Sequence, residues 1–392
     1  MKVNMIIHKV NLGEGLADIS KLYSVSQTRL AEDNGLYRDN LCEGEELIIR
    51  KPTLEALTRG GDTLGRLALR YGVKKNTLKS NNPSLIKGDS VIPGVMLAIK
   101  YQTPTNGPSS AIGIVSKDCS LTKFNQALPY LTYAVFIEYK IDEGIRTKSA
   151  NLNTAVSLAK EKGLQTLLGI ELTNAVWLKD KGAMALMLDG VIRLAEEGGY
   201  DGLYLFGDDS THGREYTDFI LYARRAMIGR NLLLFTGVKK EDSEIADLSD
   251  ASALTLSEGL LSISDYRERG RKFTDTAESS KVFIALPDFG VVDERRYERD
   301  AIIRLGRRYA KPISTDVATL ISSFSTASHT PNRRDSVACF PSLAMIKELM
   351  LLCQELGYMG FAFNIETVPI QYLCLFNSLF TRADYNSKAI DE

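Results

Sequence analysis

The stretch 60–82, GGDTLGRLALRYGVKKNTLKSNN, lies over 12–34, LGEGLADISKLYSVSQTRLAEDN, at a constant offset of 48 residues. Gly13 matches Gly61, Leu16 matches Leu64, Ile19 matches Leu67, and Tyr23, Val25, Leu30 and Asn34 match Tyr71, Val73, Leu78 and Asn82. Each copy runs on to a short apolar segment, CEGEELIIR (42–50) after the first and IPGVMLAIK (92–100) after the second. Leu16, Ile19 and Tyr23, like Leu64, Leu67 and Tyr71, fall at helical spacing and predict one buried face. Each copy therefore reads strand, helix, helix, strand around a small core.

The second copy, with GDTLGRLALRYGV, SNNPSL and IPGVMLAI, resembles the lysin motif (LysM) module almost in full. The first departs, with Glu14-Gly15 in place of Asp-Thr and Glu43-Gly44 in place of Pro-Gly. The resemblance divides this region into module 1 (1–51) and module 2 (52–101). It implies binding of glycans that contain N-acetylglucosamine, peptidoglycan or chitin. The implied contact residues are Gly61, Asp62, Thr63, Leu64, Pro83, Ser84, Leu85, Pro93 and Gly94, and in the weaker module Gly13, Glu14, Gly15 and Leu16. Free main-chain N–H groups at a helix start suit an acetamido carbonyl.

Beyond a Pro/Gly-rich linker at 102–110 the pattern changes. Short apolar runs at 111–115, 131–137, 164–170, 200–206, 231–237, 252–256, 281–287 and 359–363 alternate with amphipathic helices such as YTDFILYARRAM and SLAMIKELMLLCQELG. Eight strands in such alternation predict an α/β fold, a (β/α)8 TIM-like barrel, over 111–383. A long gap before the last strand predicts a small α+β insert at about 291–340. RRYERDAIIRLGRRY is its expected helix, a hairpin turns near His329, and 384–392 form a tail. A doubly wound open sheet is the rival topology. No GxGxxG follows a predicted strand and no GxxxxGK[ST] occurs, which leaves nucleotide binding without support.

LPYLTYAVFIEYKIDEG, MALMLDGVIRLAEEGGYDGLYLFGDD and KVFIALPDFG resemble strands two, four and seven of glycoside hydrolase family 18, most nearly its LysM-bearing spore cortex and coat members. In that family strand four ends D-G-x-D-x-D-x-E, where the Glu is the general acid and the last Asp orients the substrate acetamide. Here Tyr204 and Phe206 stand at two of the acidic positions, and Asp208, one methylene short, stands at the general-acid position. A shift of about 1 Å can cost on the order of 10²-fold in rate. The resemblance thus implies a glycan-binding protein with a catalytically degenerate barrel. An active N-acetylglucosaminidase or chitinase-like hydrolase, using Asp208 or a relocated pair drawn from Glu138, Glu171, Asp208, Asp288 and Glu366, is one alternative, and a structural spore coat protein is another.

The remaining classes are narrowed by composition. The 392 residues carry a net charge of -1 and 44% hydrophobic residues. Such a balanced chain has no general attraction to nucleic acid, and no run approaches a membrane span. The five cysteines are scattered without a CxxC pair and read as reduced thiols. His8, His212 and His329 show no ligand spacing and read as surface or loop residues, so neither a metal nor a cofactor is expected. The N-terminal stretch lacks an apolar signal-peptide core, so cytoplasmic synthesis and association with the spore cortex or coat are expected. The expected partners are peptidoglycan or another N-acetylglucosamine polymer, and spore coat proteins.

Overall fold

A computed structural model describes residues 5–36, 40–82, 86–87, 89–142, 145–148, 151–173, 175–207, 213–239, 243–257, 259–326 and 336–383. Pro83, Ser84, Leu85, Asp208, His212, His329 and the tail lie outside the described residues.

Module 1 consists of β1 (Met5–Lys9), α1 (Leu16–Tyr23), α2 (Gln27–Asp33) and β2 (Glu46–Arg50), with β1 antiparallel to β2. Module 2 repeats it as β3 (Leu54–Leu57), α3 (Leu64–Tyr71), α4 (Lys75–Asn81) and β6 (Met96–Lys100), with a small hairpin, β4 (Ile86–Lys87) and β5 (Ser90–Val91), added before the last strand. Leu16 and Ile19 are buried with Leu47 and Ile49 in the first core, and Leu64 and Leu67 with Leu97 and Ile99 in the second. Tyr23 and Tyr71 pack at the edges.

The eight expected strands form a closed parallel barrel: β7 (Pro108–Val115), β8 (Tyr133–Asp142), β10 (Gln165–Thr173), β11 (Gly202–Gly207), β12 (Leu233–Lys239), β13 (Ala251–Thr255), β14 (Val282–Ala285) and β20 (Gly360–Asn364), which returns to β7. The strand β9 (Ile145–Lys148) is an antiparallel addition to β8, and the helices α5 (Leu121–Ala127), α6 (Asn153–Glu161), α7 (Lys181–Glu197), α8 (Arg214–Met227), α9 (Ser243–Leu248) and α10 (Ile263–Thr274) connect the strands. Pro108–Ser110, expected in the linker, already belong to the first barrel strand, because their main chain pairs with β20 and β21 (Thr381–Arg382). Alternation sends Ile112, Tyr133, Val135, Leu167, Tyr204, Phe235 and Phe283 into the lumen, and Phe136, Leu168, Leu203, Leu205 and Leu234 towards the surrounding helices.

Within nearly the expected bounds, the insert holds more strands than the expected helix and hairpin. It is a five-stranded antiparallel sheet in the order β16-β15-β19-β18-β17, made of β15 (Phe289–Val292), β16 (Arg295–Glu298), β17 (Ser314–Thr315), β18 (Ile321–Thr326) and β19 (Ser336–Pro341), with one helix, α11 (Arg299–Arg308). Arg295–Glu298, expected to open that helix, instead pair with β15 as an exposed edge strand. Charged side chains along an exposed edge look the same as a solvated helix start.

The modules are docked on the barrel through a buried polar junction. Asp33 takes a bidentate pair from Arg50, Nε–Oδ2 at 3.0 Å and Nη2–Oδ1 at 2.6 Å, and both side chains are 1% exposed. Arg50 also lies over the Tyr101 ring at 4.7 Å. Arg29 crosses to module 2 and donates to Asn81 O at 2.7 Å and Asn82 Oδ1 at 2.6 Å. From the barrel, Gln371 of α13 (Ile370–Leu379) donates to Asn34 Oδ1 at 2.9 Å and accepts from the buried Arg299 at 3.0 Å. Glu46 accepts from the main-chain N–H groups of Leu343 and Ala344, which open α12 (Leu343–Glu355) and favour a carboxylate there.

Removing one partner of a buried pair leaves the other charge uncompensated, at a cost of about 3–5 kcal/mol. Asp33→Ala is therefore expected to lower stability by ~3–5 kcal/mol in denaturant titrations, with modules and barrel losing structure together. The exposed Lys272–Glu268 pair gives the contrast: Glu268→Ala should cost under ~0.5 kcal/mol. Equal losses for the two variants would contradict the junction's role.

Glu32, beside this pair, has a buried Oε2 without a partner. Burial pushes its carboxyl up to about 7, against the opposing pull of Arg29. The folded chain then holds a proton that the unfolded chain releases near the ordinary value of 4.5, so stability falls as pH rises from about 4.5 to 7. Glu32→Gln should flatten that part of the stability profile and be the more stable protein at pH 8; an unchanged slope would contradict the assignment.

Candidate functional site

The first candidate lies at the C-terminal mouth of the barrel, where the strand-four motif points. Asp201 begins it and is structural: its Oδ2 accepts from Thr166 N at 2.7 Å and Thr166 Oγ1 at 2.9 Å. Two and four residues after Gly202, on its inward face, come Tyr204 and Phe206, whose rings stack at 5.5 Å between centroids. Gly237 on β12 makes the room, since a Cβ there would stand 2.7 Å from Phe206 Cβ and 2.8 Å from the Tyr204 hydroxyl. Burial pushes the Tyr204 phenol up, so it stays neutral. What remains is a cavity of about 130 Å³ walled by Ile114, Tyr204, Phe206, Ala253 and Ala285. Typical ligand pockets hold about 300–1,000 Å³, and no carboxylate lines this one among the described residues.

The other carboxylates do not converge there. Glu138 turns outward, is 4% exposed, and accepts from Leu152 N at 2.8 Å. Asp288, whose carboxyl burial raises, accepts from the Thr367 hydroxyl. Glu366 accepts from the Ser116 hydroxyl, and its carbonyl accepts from Lys123. Only Glu171 pairs in register with Phe206 on the inward face of the neighbouring strand. Trp177 is packed edge-on against Phe219 at 5.8 Å, not displayed as a sugar platform. No cluster of three metal-ligating side chains occurs among the described residues, and burial pushes the half-exposed Cys119 thiol up to about 11.

The second candidate is the pair of module loops. In module 2 Gly61, Thr63, Pro93 and Gly94 are exposed, and a Cβ added at Gly61 or Gly94 would meet nothing within 4 Å. The hairpin closes on the helix start: Thr63 bridges Ser90, and Leu64 N donates to Asp89 O at 3.2 Å. The Pro93-Gly94 turn is pinned by Gly94 N to Thr58 O at 2.9 Å. Several predicted contact residues also have local structural work. Thr63 Oγ1 caps α3 by accepting from Arg66 N at 3.2 Å, Asp62 accepts from Arg59 N at 2.8 Å, and Leu64 is fully buried.

Module 1 is arranged in the same way at one loop and differently at the other. Glu14 accepts from Asn11 N at 2.9 Å, three residues back, as Asp62 does. It also accepts from His8 Nε2 at 2.8 Å. His8, expected at the surface, is 7% exposed and holds Tyr23 OH at 3.0 Å through Nδ1, because β1 turns it inward between the loop and α1. Gly13 is exposed, Gly15 half-exposed, and Leu16 buried. The far loop is covered by the insert. Cys42 joins Ile302, Ile313, Phe324 and Phe340 in one apolar cluster, and Ile313 N donates to Glu43 O at 2.8 Å. Glu45 makes a bidentate pair with Arg307. Gly44, at φ +79°, lies so close to Ile313 that a Cβ would sit 1.8 Å from its carbonyl oxygen.

The LysM domain model matches residues 8–50 and 59–100. No curated protein matches the sequence. Among solved structures, the spore cortex-lytic enzyme SleL of Bacillus megaterium QM B1551 is 17% identical, covers 98% of this chain and 100% of its own, and has a TM-score of 0.73. SleL of Bacillus cereus is 17% identical over 97% of this chain and 100% of its own, at 0.73. A chitinase from Chromobacterium violaceum ATCC 12472 is 10% identical over 69% of this chain and 98% of its own, at 0.62. The chain thus carries two LysM domains and a barrel that shares the chitinase fold.

The fit at the barrel mouth is testable. Gly237→Ala drives a methyl group into Phe206 and Tyr204, and overpacking of this kind costs about 1–3 kcal/mol. The expected reading is a loss in that range by chemical denaturation, partly recovered when Tyr204→Phe removes the hydroxyl that stands 2.8 Å from the added methyl. No loss for the single variant would show that the rings do not fill the mouth.

Proposed function

We propose that this protein binds a polymer containing N-acetylglucosamine, peptidoglycan or a chitin-like glycan, through the open face of its second LysM domain, and that its barrel has lost glycosidase activity. The observation that carries the reading is the contrast between the two modules. Gly61, Thr63, Pro93 and Gly94 lie open, while the corresponding 42–45 loop of module 1 is covered by the insert. At the open face the N–H groups of Leu64 and Arg66 are already engaged, which leaves Gly65 N–H in the first turn of α3 to meet an acetamido carbonyl. Pro83, Ser84 and Leu85, which lie outside the described residues, complete the proposed contact set.

Loss of hydrolysis is supported by the chemistry at the mouth. Glycoside hydrolysis of the family-18 kind needs a protonated acid at the leaving oxygen and an anionic neighbour for the cation that forms from the acetamide. Tyr204 and Phe206 supply neither, and the small cavity they wall has no carboxylate among its described lining residues. Spore association, with the cortex glycan or coat proteins as neighbours, is proposed from the likeness to SleL, a spore cortex-lytic enzyme.

Two assays on the full chain test this reading. Retention on insoluble peptidoglycan and chitin is expected, with Ser90→Trp, an exposed change at the hairpin, weakening it about tenfold and Gly15→Trp changing it less than ~twofold. Release of shortened glycan should stay at background. Turnover abolished by Asp208→Ala would overturn the second half of the proposal, and equal effects of the two tryptophans would overturn the ranking of the modules.

A further inference from the structure

A cleft of about 540 Å³ opens where module 1 meets the insert. One wall comes from the connection between α2 and β2, at Asn34, Gly35 and Asn40, and the other from α11, at Arg304, Arg307 and Arg308. That volume lies within the usual range for small-ligand sites, about 300–1,000 Å³. The floor is rigid. Asn34 and Gln371 are buried and fully engaged, with Asn34 holding Leu30 O, Ile48 O and Ile48 N, and Gln371 holding Asn34, Glu46 O and Arg299.

The charge in the cleft is one-sided. Asp300 is its only lining acid among the described residues, against three arginines. Arg307 is committed to Glu45, an ion pair that fixes α11 against the module. Arg304 and Arg308, one helical turn apart, are exposed and form no ion pair with any described carboxylate; Arg308 only lies near its neighbour Tyr309, at 5.7 Å from the ring. Two unpaired guanidinium forks on a fixed helix, facing the Asn40 amide across a concave surface, match a planar carboxylate better than any neutral group.

We propose that this cleft binds a carboxylate of the peptide substituents that peptidoglycan carries and chitin lacks. The inference rests on the glycan reading above for its choice of polymer. It gives module 1 a different part from module 2: module 2 holds the sugar backbone, and Asn34, Gly35 and Asn40 of module 1, joined with α11, form the cleft that selects for acidic polymer. Arg304 and Arg308 act as paired donors, and Arg307 with Glu45 sets their position.

The test is a calorimetric titration of the full chain with muramyl dipeptide, with the same compound amidated at its one free carboxyl group, with an N-acetylglucosamine hexamer, and with inorganic phosphate. Both arginines are exposed, so Arg304→Gln/Arg308→Gln is expected to fold as the wild type does, checked by an unchanged denaturation midpoint. The expected result is about tenfold weaker binding of muramyl dipeptide by the double variant, equally weak binding of the amidated compound by the wild type, and unchanged affinity for the hexamer. Undiminished muramyl dipeptide binding by the variant overturns the proposal, as does an equal loss for the hexamer. Phosphate binding through the same arginines without muramyl dipeptide binding marks a general anion site and also overturns it. Arginine-dependent muramyl dipeptide binding without hexamer binding supports the cleft and contradicts only the reading of module 2.

Discussion

The buried hydrogen-bond chain from Arg299 through Gln371 to Asn34, set beside the Asp33–Arg50 pair of module 1, is the constraint on which the relation between the modules and the barrel depends. Two charges removed from water cost several kcal/mol each unless geometry and further hydrogen bonds repay them. For Asp33 and Arg50 the bidentate geometry supplies the repayment within module 1, while Arg29 ties module 1 to Asn81 and Asn82 of module 2, and Asn34 ties it to Gln371 and Arg299 on the barrel side. No part can leave without exposing an unpaired buried group. LysM domains on flexible linkers gain avidity by reaching neighbouring sites on one polymer. These two are held in one orientation, so the geometry of the junction decides which face meets the glycan.

That constraint gives the modules different tasks despite a common origin in one repeated pattern. Glu14 and Asp62 close the same turn by accepting a main-chain N–H three residues back, and both modules keep the apolar face of the first helix. The difference is at the second loop. Gly44 allows the main chain of the insert to approach within contact distance, while Gly94 at the equivalent place has open space around it. One glycine serves a docking contact and the other a free surface, with the same positive φ in each.

Much of this was legible in sequence wherever a period carried it. All eight barrel strands and the helices of both modules follow from apolar spacing, since burial on one or both faces imposes it. The aromatic pair at the barrel mouth was visible because Tyr204 and Phe206 interrupt a motif of acidic positions. The junction was not visible, because Arg29, Asp33 and Arg50 read as ordinary solvated charges and their pairing partners lie up to 53 residues away or in the barrel. The insert misled for a related reason: Arg295–Glu298 have no buried face, so their strand character comes only from main-chain pairing with β15. His8 needed knowledge of which way β1 faces. The contact set on the modules was only half legible, since the same residues that define the LysM pattern also cap and close its loops.

The central claim is that the glycan meets module 2 and not the barrel. Hydrogen–deuterium exchange of the full chain, with and without a hexamer of N-acetylglucosamine, addresses it most directly. The account predicts slowed exchange confined to the segments around 60–66 and 89–95, with exchange around 202–207 and 233–239 unchanged. Protection at the barrel strands together with none at module 2 would contradict it.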